Sequence, residues 1–417
     1  MKSCVHVLTT ICFWALTTAT AIARPDGFAR VVEDGTSIKL EMAVREYAPK
    51  EGNGPKIYLA AAVHIGEEDF YKQLQQFLDK QDIVLFEGVK PPGAGAAEHD
   101  AADRSDAQRI DVTKRRIRFI AMAIDRYRAE HKKLPTSFEQ LEEGTKGRIA
   151  TLLHGAHRDG WDRDLQLTTI EQEDGELGFD IVSLGADGQP GGEGPAADIR
   201  FRDQPALSKS ERGDRSGGIQ AKMAEATGLV FQLNAMHHDG PNWRNSDLSI
   251  DQVQERLDKS GADAGALFSM LDGSSFMSRI GSALLGFIGS NPEGKAMLRL
   301  MLIEMLGHAG ELIKQAPGGM GKLMEVILED RNQVVLADLK RIIETEKDIR
   351  TIGIIYGAGH LPGLEAGILA LGYQPAGDTW FTAMRASAQD AGLTEARFKA
   401  TRDMVSRMVE AQVKRAK

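Results

Sequence analysis

Three short runs of consecutive apolar residues stand out along the chain: Lys56-Ile57-Tyr58-Leu59-Ala60-Ala61-Ala62-Val63, Asp82-Ile83-Val84-Leu85-Phe86 and Thr351-Ile352-Gly353-Ile354-Ile355-Tyr356. Runs of this length without polar alternation read as strands buried on both faces. Between the first two, Glu67 to Lys80 places Phe70, Leu74, Phe77 and Leu78 at helical spacing. A strand, a helix and a strand in that order predict a parallel pair with a crossover helix. Leu361 to Leu371 predicts a helix after the third strand. Leu323 to Ile343 predicts one long amphipathic helix with Leu323, Ile327, Val334 and Ile342 on its apolar stripe. Arg331 and Asp338 fall on the same stripe. A buried arginine is costly unless paired, and Asp338, seven residues on, is its expected partner; the alternative is a substrate-binding arginine.

The pattern breaks at Pro91-Pro92-Gly93-Ala94-Gly95-Ala96-Ala97, a linker-like stretch. Arg115 to Glu130 then predicts an amphipathic helix carrying Ile117, Ile120, Ala121, Ile124 and Tyr127. Short alternating runs follow, among them Phe179 to Leu184, then a glycine-rich loop, and the polar stretch Ser208 to Gly218 closes the segment. From Gly228 onward the chain is mainly helical and rich in methionine. Phe268 to Ile288 and Met297 to Ile313 read as core or as a lid over a cleft, and Lys399 to Lys417 as a charged, solvated terminal helix. The expected class is α/β: a discontinuous, mainly parallel sheet with flanking helices, plus an inserted α+β module. The expected boundaries are 24–100 and 219–400 for the two parts of the α/β domain and 101–207 for the insertion.

The first residues change the picture of where the protein works. Met1-Lys2 is a short positive start, and Val5 to Ala23 carries no Lys, Arg, Asp or Glu. Ala21-Ile22-Ala23 supplies a small-x-small cleavage pattern, so residues 1–23 read as a secretory signal. An uncleaved anchor is the alternative. Both cysteines, Cys4 and Cys12, lie inside this segment, so a chain starting near Arg24 has neither disulfides nor thiolate ligands. The net charge of -9 gives no basic surface for nucleic acid or anionic membrane. After Ala23 no stretch reads as a spanning helix. The expected location is the periplasm or outside the cell.

The three apolar runs end on side chains that a core would not choose: His64, Glu87 and, in Gly357-Ala358-Gly359-His360, His360. In a parallel sheet the carboxyl ends of the strands share one edge, where open α/β folds place their sites. Two imidazoles and a carboxylate form a set that suits zinc, manganese or cobalt and leaves a position for water. The bland alternative is hydrogen-bonded structural residues at strand ends, and no compact motif of the H-E-x-x-H kind supports the metal reading. His237-His238-Asp239 invites the same idea more weakly, because adjacent loop side chains rarely converge on one ion.

At these residues the chain resembles the TraB/PrgY/GumN family, which includes the TIKI proteases. The resemblance runs through Ala61-Ala62-Val63-His64, Leu85-Phe86-Glu87-Gly88, Gly228-Leu229-Val230-Phe231-Gln232, Asn245-Ser246-Asp247-Leu248-Ser249, Glu329-Asp330-Arg331-Asn332, Tyr356 to Leu364 and Leu371-Gly372-Tyr373. It covers about 24–100 and 219–390. It implies a divalent metal bound through two Gly-x-x-His motifs and a glutamate, and peptide-bond hydrolysis. The second motif is present at Gly357 to His360; the first has Ala61 where glycine is usual. On that reading His64, Glu87 and His360 hold the ion, its bound water attacks the carbonyl, and Arg331 steadies the oxyanion or a substrate carboxylate.

The insertion resembles the globular part of the major pseudopilin of type II secretion. Ala123 to Arg128 with Leu134-Pro135-Thr136, Asp159-Gly160-Trp161-Asp162, and Ser183 to Gly194 with Ala197-Asp198-Ile199 carry that resemblance. It implies calcium held by backbone carbonyls and aspartates, here Asp187 and Asp198, an oxygen-only set suited to a hard cation. Without the resemblance the loop reads as a solvated Asp-Gly turn. The pseudopilin's methylation motif and long polymerising helix are missing, so the module reads as a borrowed folding or docking unit.

Three functions remain open on the sequence. The first is an exported metal-dependent hydrolase acting on a peptide or protein substrate. The second is a non-catalytic peptide-binding protein using the same cleft. The third is an accessory protein that meets a secretion-system component through its inserted module.

Overall fold

The computed structural model of the protein describes residues 27–34, 36–88, 93–94, 104–145, 152–153, 156–171, 177–207, 219–238, 240–249, 252–253, 256, 291–308 and 325–415. The signal segment 1–23 with both cysteines, most of the proline-glycine linker, Ser208 to Gly218 and Phe268 to Ile288 lie outside the described residues.

In chain order the elements that matter here are β1 (Ala29–Asp34), β2 (Ser37–Pro49), β3 (Lys56–Ala62), α1 (Glu68–Leu78), β4 (Ile83–Phe86), α2 (Asp106–His131), α3 (Phe138–Gly144), β5 (Gln166–Glu171), β6 (Leu177–Ser183), β7 (Ile199–Arg200), β8 (Trp243–Asn245), α4 (Pro292–Gly307), α5 (Arg331–Thr345), β9 (Thr351–Gly357), α6 (Leu361–Ala370), β10 (Tyr373–Ser387) and α7 (Glu395–Arg415). The class is α/β, with a central sheet built from both ends of the chain. Its order is β1-β2-β3-β9-β4-β8, and β10 pairs with the other edge of β2. Strands β3, β9, β4 and β8 are mutually parallel, whereas β1, β2 and β10 join antiparallel.

The parallel half follows from the apolar runs. Every residue of β4 is buried, as are the five central residues of β9, because helices cover such strands on both faces. Between β3 and β4, α1 turns Phe70, Tyr71, Leu74 and Leu78 into the core, and Glu68 and Asp69 sit in its first turn, where the helix dipole favours acids. The antiparallel half was not evident in the sequence. β2 and β10 are long strands of 13 and 15 residues whose polar alternation, with two register shifts in β10, hides them among loops.

Two other expectations are corrected. The helix from Leu323 is not uniform: residues 325–330 form a π-helical turn and the α-helix starts at Arg331. The wider turn breaks the phase of the apolar stripe, so face assignments that ran across it do not hold. The terminal helix α7 is also not wholly solvated, since Phe398 and Val405 are buried.

Residues of the α/β body share one hydrophobic core. A second, separate core gathers Ile117, Ile120, Ile124 and Tyr127 of α2 with Leu141, Leu165, Ile181 and Ile199. There α2 and α3 accompany a three-stranded antiparallel sheet, β5-β6-β7.

Candidate functional site

The register of the parallel strands decides which side chains meet. Gly357 is opposite Ala62, and Ile355 is opposite Phe86, so β3, β4 and β9 end in one layer. The backbone N–H of Ala358 donates to Ala62 O, and that of Glu87 to Ile355 O, which holds the three exits together. Glu87 turns its carboxylate back over β9, where Oε2 accepts from the Gly357 N–H at 2.6 Å. A Cβ at position 357 would come within 3.2 Å of that oxygen, so glycine makes room for the contact. His360 ends the turn after β9 and caps α6, with Pro362 in the first turn of the helix.

Arg331, at the start of α5, reaches into this layer. Nη2 donates to Glu87 Oε1 and to Asp247 Oδ2, both at 2.7 Å, and Nε donates to Asp247 Oδ1 at 2.9 Å. Asp247 is fully buried and also accepts from the Gly88 and Leu248 N–H groups. The expected Arg331–Asp338 pair does not form. Seven residues of helix span about 10 Å, too far for one guanidinium to close. Asp338 instead accepts from Ser246 Oγ and Arg341.

His360 is 4% exposed. Its Nδ1 lies 2.9 Å from Asn332 Oδ1, its Nε2 3.4 Å from Arg331 Nη1, and the Tyr356 ring meets it edge-on. Glu87 Oε1 is 3.7 Å from His360 Nε2. His64 is exposed at the mouth of this layer, close enough for its field to act on both. His238 is elsewhere, packed on Phe86 and Trp243.

The electrostatics follow from this crowding. Burial works to raise the Glu87 carboxyl, but Arg331, His360, His64 and the Gly357 N–H together hold it down at about 2. Burial pushes the His360 imidazole down to about 4, against the pull of Glu87 and with the help of Arg331. Burial opposes the Arg331 charge too, yet its bonds to Asp247 and the charge of Glu87 raise its pKa further. At neutral pH Glu87 is therefore a carboxylate, Arg331 a guanidinium and His360 a neutral imidazole.

A separation of 3.7 Å between Glu87 Oε1 and His360 Nε2 is one that two ligands of a shared ion can have, at roughly 2.0–2.2 Å each. Arg331, however, donates to that oxygen and faces that nitrogen. As placed, the donor set fits a guanidinium, and a divalent ion would require Arg331 to withdraw. Among the described residues no group of three or more His, Cys, Asp or Glu side chains is arranged to hold a metal. Sequence reasoning assigned no role to Asp247 or Asn332. Both lie in segments singled out for resemblance, and that was the only signal.

The second core has its own buried acid. Asp159, 1% exposed, accepts from the Trp161 and Arg163 N–H groups through Oδ1 and from Ser183 Oγ through Oδ2. The Gly160 N–H donates to Thr113 Oγ1, and Arg116 donates to Arg158 O and Asp159 O, which ties this loop to α2. Helix α2 begins in a complete capping box, Ser105 with Gln108.

Residues 101–202 match the family model of type II secretion system protein G. The protein G-like module is thus the segment built on α2 and the three-stranded sheet. No curated protein and no solved structure matches the chain. In the module's glycine-rich loop, Asp187 Oδ1 accepts from the Gln189 N–H. Asp198 Oδ1 accepts from the Gly191 N–H, and Oδ2 pairs with Arg200. Asp187 is exposed and retains an oxygen for a ligand. A calcium ion using Asp198 would compete with Arg200.

Proposed function

We propose that the protein is an accessory component of a secretion apparatus in the cell envelope, an α/β body carrying a protein G-like module for docking. The observation that carries this reading is the family match over residues 101–202. The capping box at Ser105 supports it, because a capped helix stops where a pilus subunit would continue into its polymerising segment. Among the described residues no helix is long and apolar enough to cross a membrane. In-cell cross-linking with mass spectrometry tests the proposal: a pseudopilin or another secretion-system subunit should be captured, and a chain lacking 104–207 should lose it. Cross-links that persist without the module would overturn it.

A second reading is favoured by one observation, the 3.7 Å approach of Glu87 and His360 at the carboxyl edge of the sheet. It is a metal-dependent hydrolase of the TraB/PrgY/GumN type acting on peptide or peptide-like bonds, with His64, Glu87 and His360 as ligands. Metal analysis of the purified protein and a peptide-library cleavage assay decide it. Bound zinc, manganese or cobalt with cleavage lost in His360→Ala supports it; a metal-free, inactive protein sinks it. We further propose calcium in the Leu184–Asp198 loop through Asp187 and Asp198. Millimolar calcium should then raise the melting temperature, and Asp198→Ala should remove most of that gain.

A further inference from the structure

The residues around His360 have hydrogen-bonding roles that cannot be exchanged. Asn332 Nδ2 lies 3.1 Å from the His360 carbonyl oxygen. A carbonyl only accepts, so the amide must turn its NH₂ to the backbone and its Oδ1 to the ring. Gly363 leaves space for that placement, since a Cβ there would come within 2.5 Å of Asn332 Nδ2. The amide oxygen has no proton, so His360 Nδ1, 2.9 Å away, must donate to it. On the other side of the ring, Arg331 Nη1 faces Nε2 at 3.4 Å. A guanidinium has donors only, so Nε2 must accept. Two neighbours on opposite sides thus demand the same tautomer, in a ring that is buried and held neutral.

We propose that Asn332 is a positioning residue that locks His360 as the Nδ1–H tautomer, so that the Nε2 lone pair is the face turned toward Arg331 and Glu87. This inference rests on the strand-edge cluster being a working site, and it is independent of the secretion module. Orientation of a reactive imidazole through its second nitrogen is the usual way a protein fixes its tautomer.

The test is long-range ¹H–¹⁵N correlation of the imidazole nitrogens in full-length ¹⁵N-labelled protein at neutral pH, with His360→Gln to assign the signal. His360 should show a pyrrole-type Nδ1 and a pyridine-type Nε2. Asn332→Asp keeps the acceptor for Nδ1 but loses the donor to the His360 carbonyl, so Nδ1 should remain protonated. Asn332→Ala leaves only the longer Arg331 contact at 3.4 Å, so both nitrogens should shift toward the averaged values of a mixed tautomer while circular dichroism remains native. A wild-type protein with Nε2–H, or Asn332→Ala with the wild-type pattern, overturns the proposal. If Asn332→Ala does not fold, the wild-type and Asn332→Asp spectra decide alone, and loss of the Nδ1 proton in Asn332→Asp overturns it. Metal content and peptide cleavage do not enter the readout, so the failure of the hydrolase reading would be seen separately.

Discussion

The two cores each bury an acid, and they use it differently. In the module, Asp159 accepts from two backbone N–H groups and a serine hydroxyl, all belonging to the loops it holds. Its work is finished within the fold. In the body, Asp247 neutralises Arg331, and Arg331 in turn reaches Glu87 and faces His360 at the end of the parallel strands. That arrangement holds a guanidinium and a neutral imidazole side by side where several elements meet. In one region the buried acid is satisfied within its own module, and in the other it anchors a guanidinium that reaches the ends of the parallel strands.

The sharpest way to break this contrast is Asp247→Ala. It strands a buried guanidinium, and removing one partner of such a pair costs about 3–5 kcal/mol. Denaturant unfolding should show that loss, with hydrogen exchange accelerated in β4, α5 and β9 and unchanged in α2. Protection lost equally in both regions would mean that the two cores unfold together.

Acid should distinguish the body next. Glu87 sits at about 2 when folded, below an ordinary carboxylate at 4.5, so the unfolded chain binds more protons between those values. His360 sits at about 4, below the ordinary 6.5, so the same holds over that interval. Both contributions are complete above about pH 6.5 and fade as pH falls, His360 first and Glu87 below about pH 4.5. Body stability measured from pH 7 to 3 should therefore decline without a rise. A His360→Gln variant should flatten the decline between pH 6.5 and 4.

Asp159→Ala should cost about 2–3 kcal/mol, because it leaves buried N–H groups and a hydroxyl without an acceptor. Its exchange signature should be confined to the 156–200 region and α2. The smallest effect is Ser105→Ala, about 1 kcal/mol from a lost N-cap, read as a lower melting temperature of the module with the body unchanged.

What could be read in the sequence follows the reach of each signal. The strands β3, β4 and β9 are legible because a run of apolar residues is a local property, and their shared edge follows from their parallel direction. The β2–β10 ribbon was not, since its pairing joins residues more than 300 positions apart and its faces are mixed. Arg331 shows the same limit at one residue. Its position on an apolar stripe announced that it needed a partner, but periodicity sees only its own helix. Asp247 lies 84 residues away, on the far side of segments with no pattern linking them. Asn332 sits next to Arg331 and gave no sign of its bond to a histidine 28 residues on.

The pairing of β3 with β9 also sets an order in time. During synthesis β3 emerges early, yet one of its two neighbours, β9, begins only at Thr351. The module's core, by contrast, is complete once Leu207 has appeared. Chains are made at about 5–20 residues per second, so an apolar edge of the body waits about 15–60 seconds for its partner while the insertion has all of its own core residues. The segment that interrupts the body is thus the one whose core residues are all present first, while the sheet still lacks the strand that joins β3 to β4.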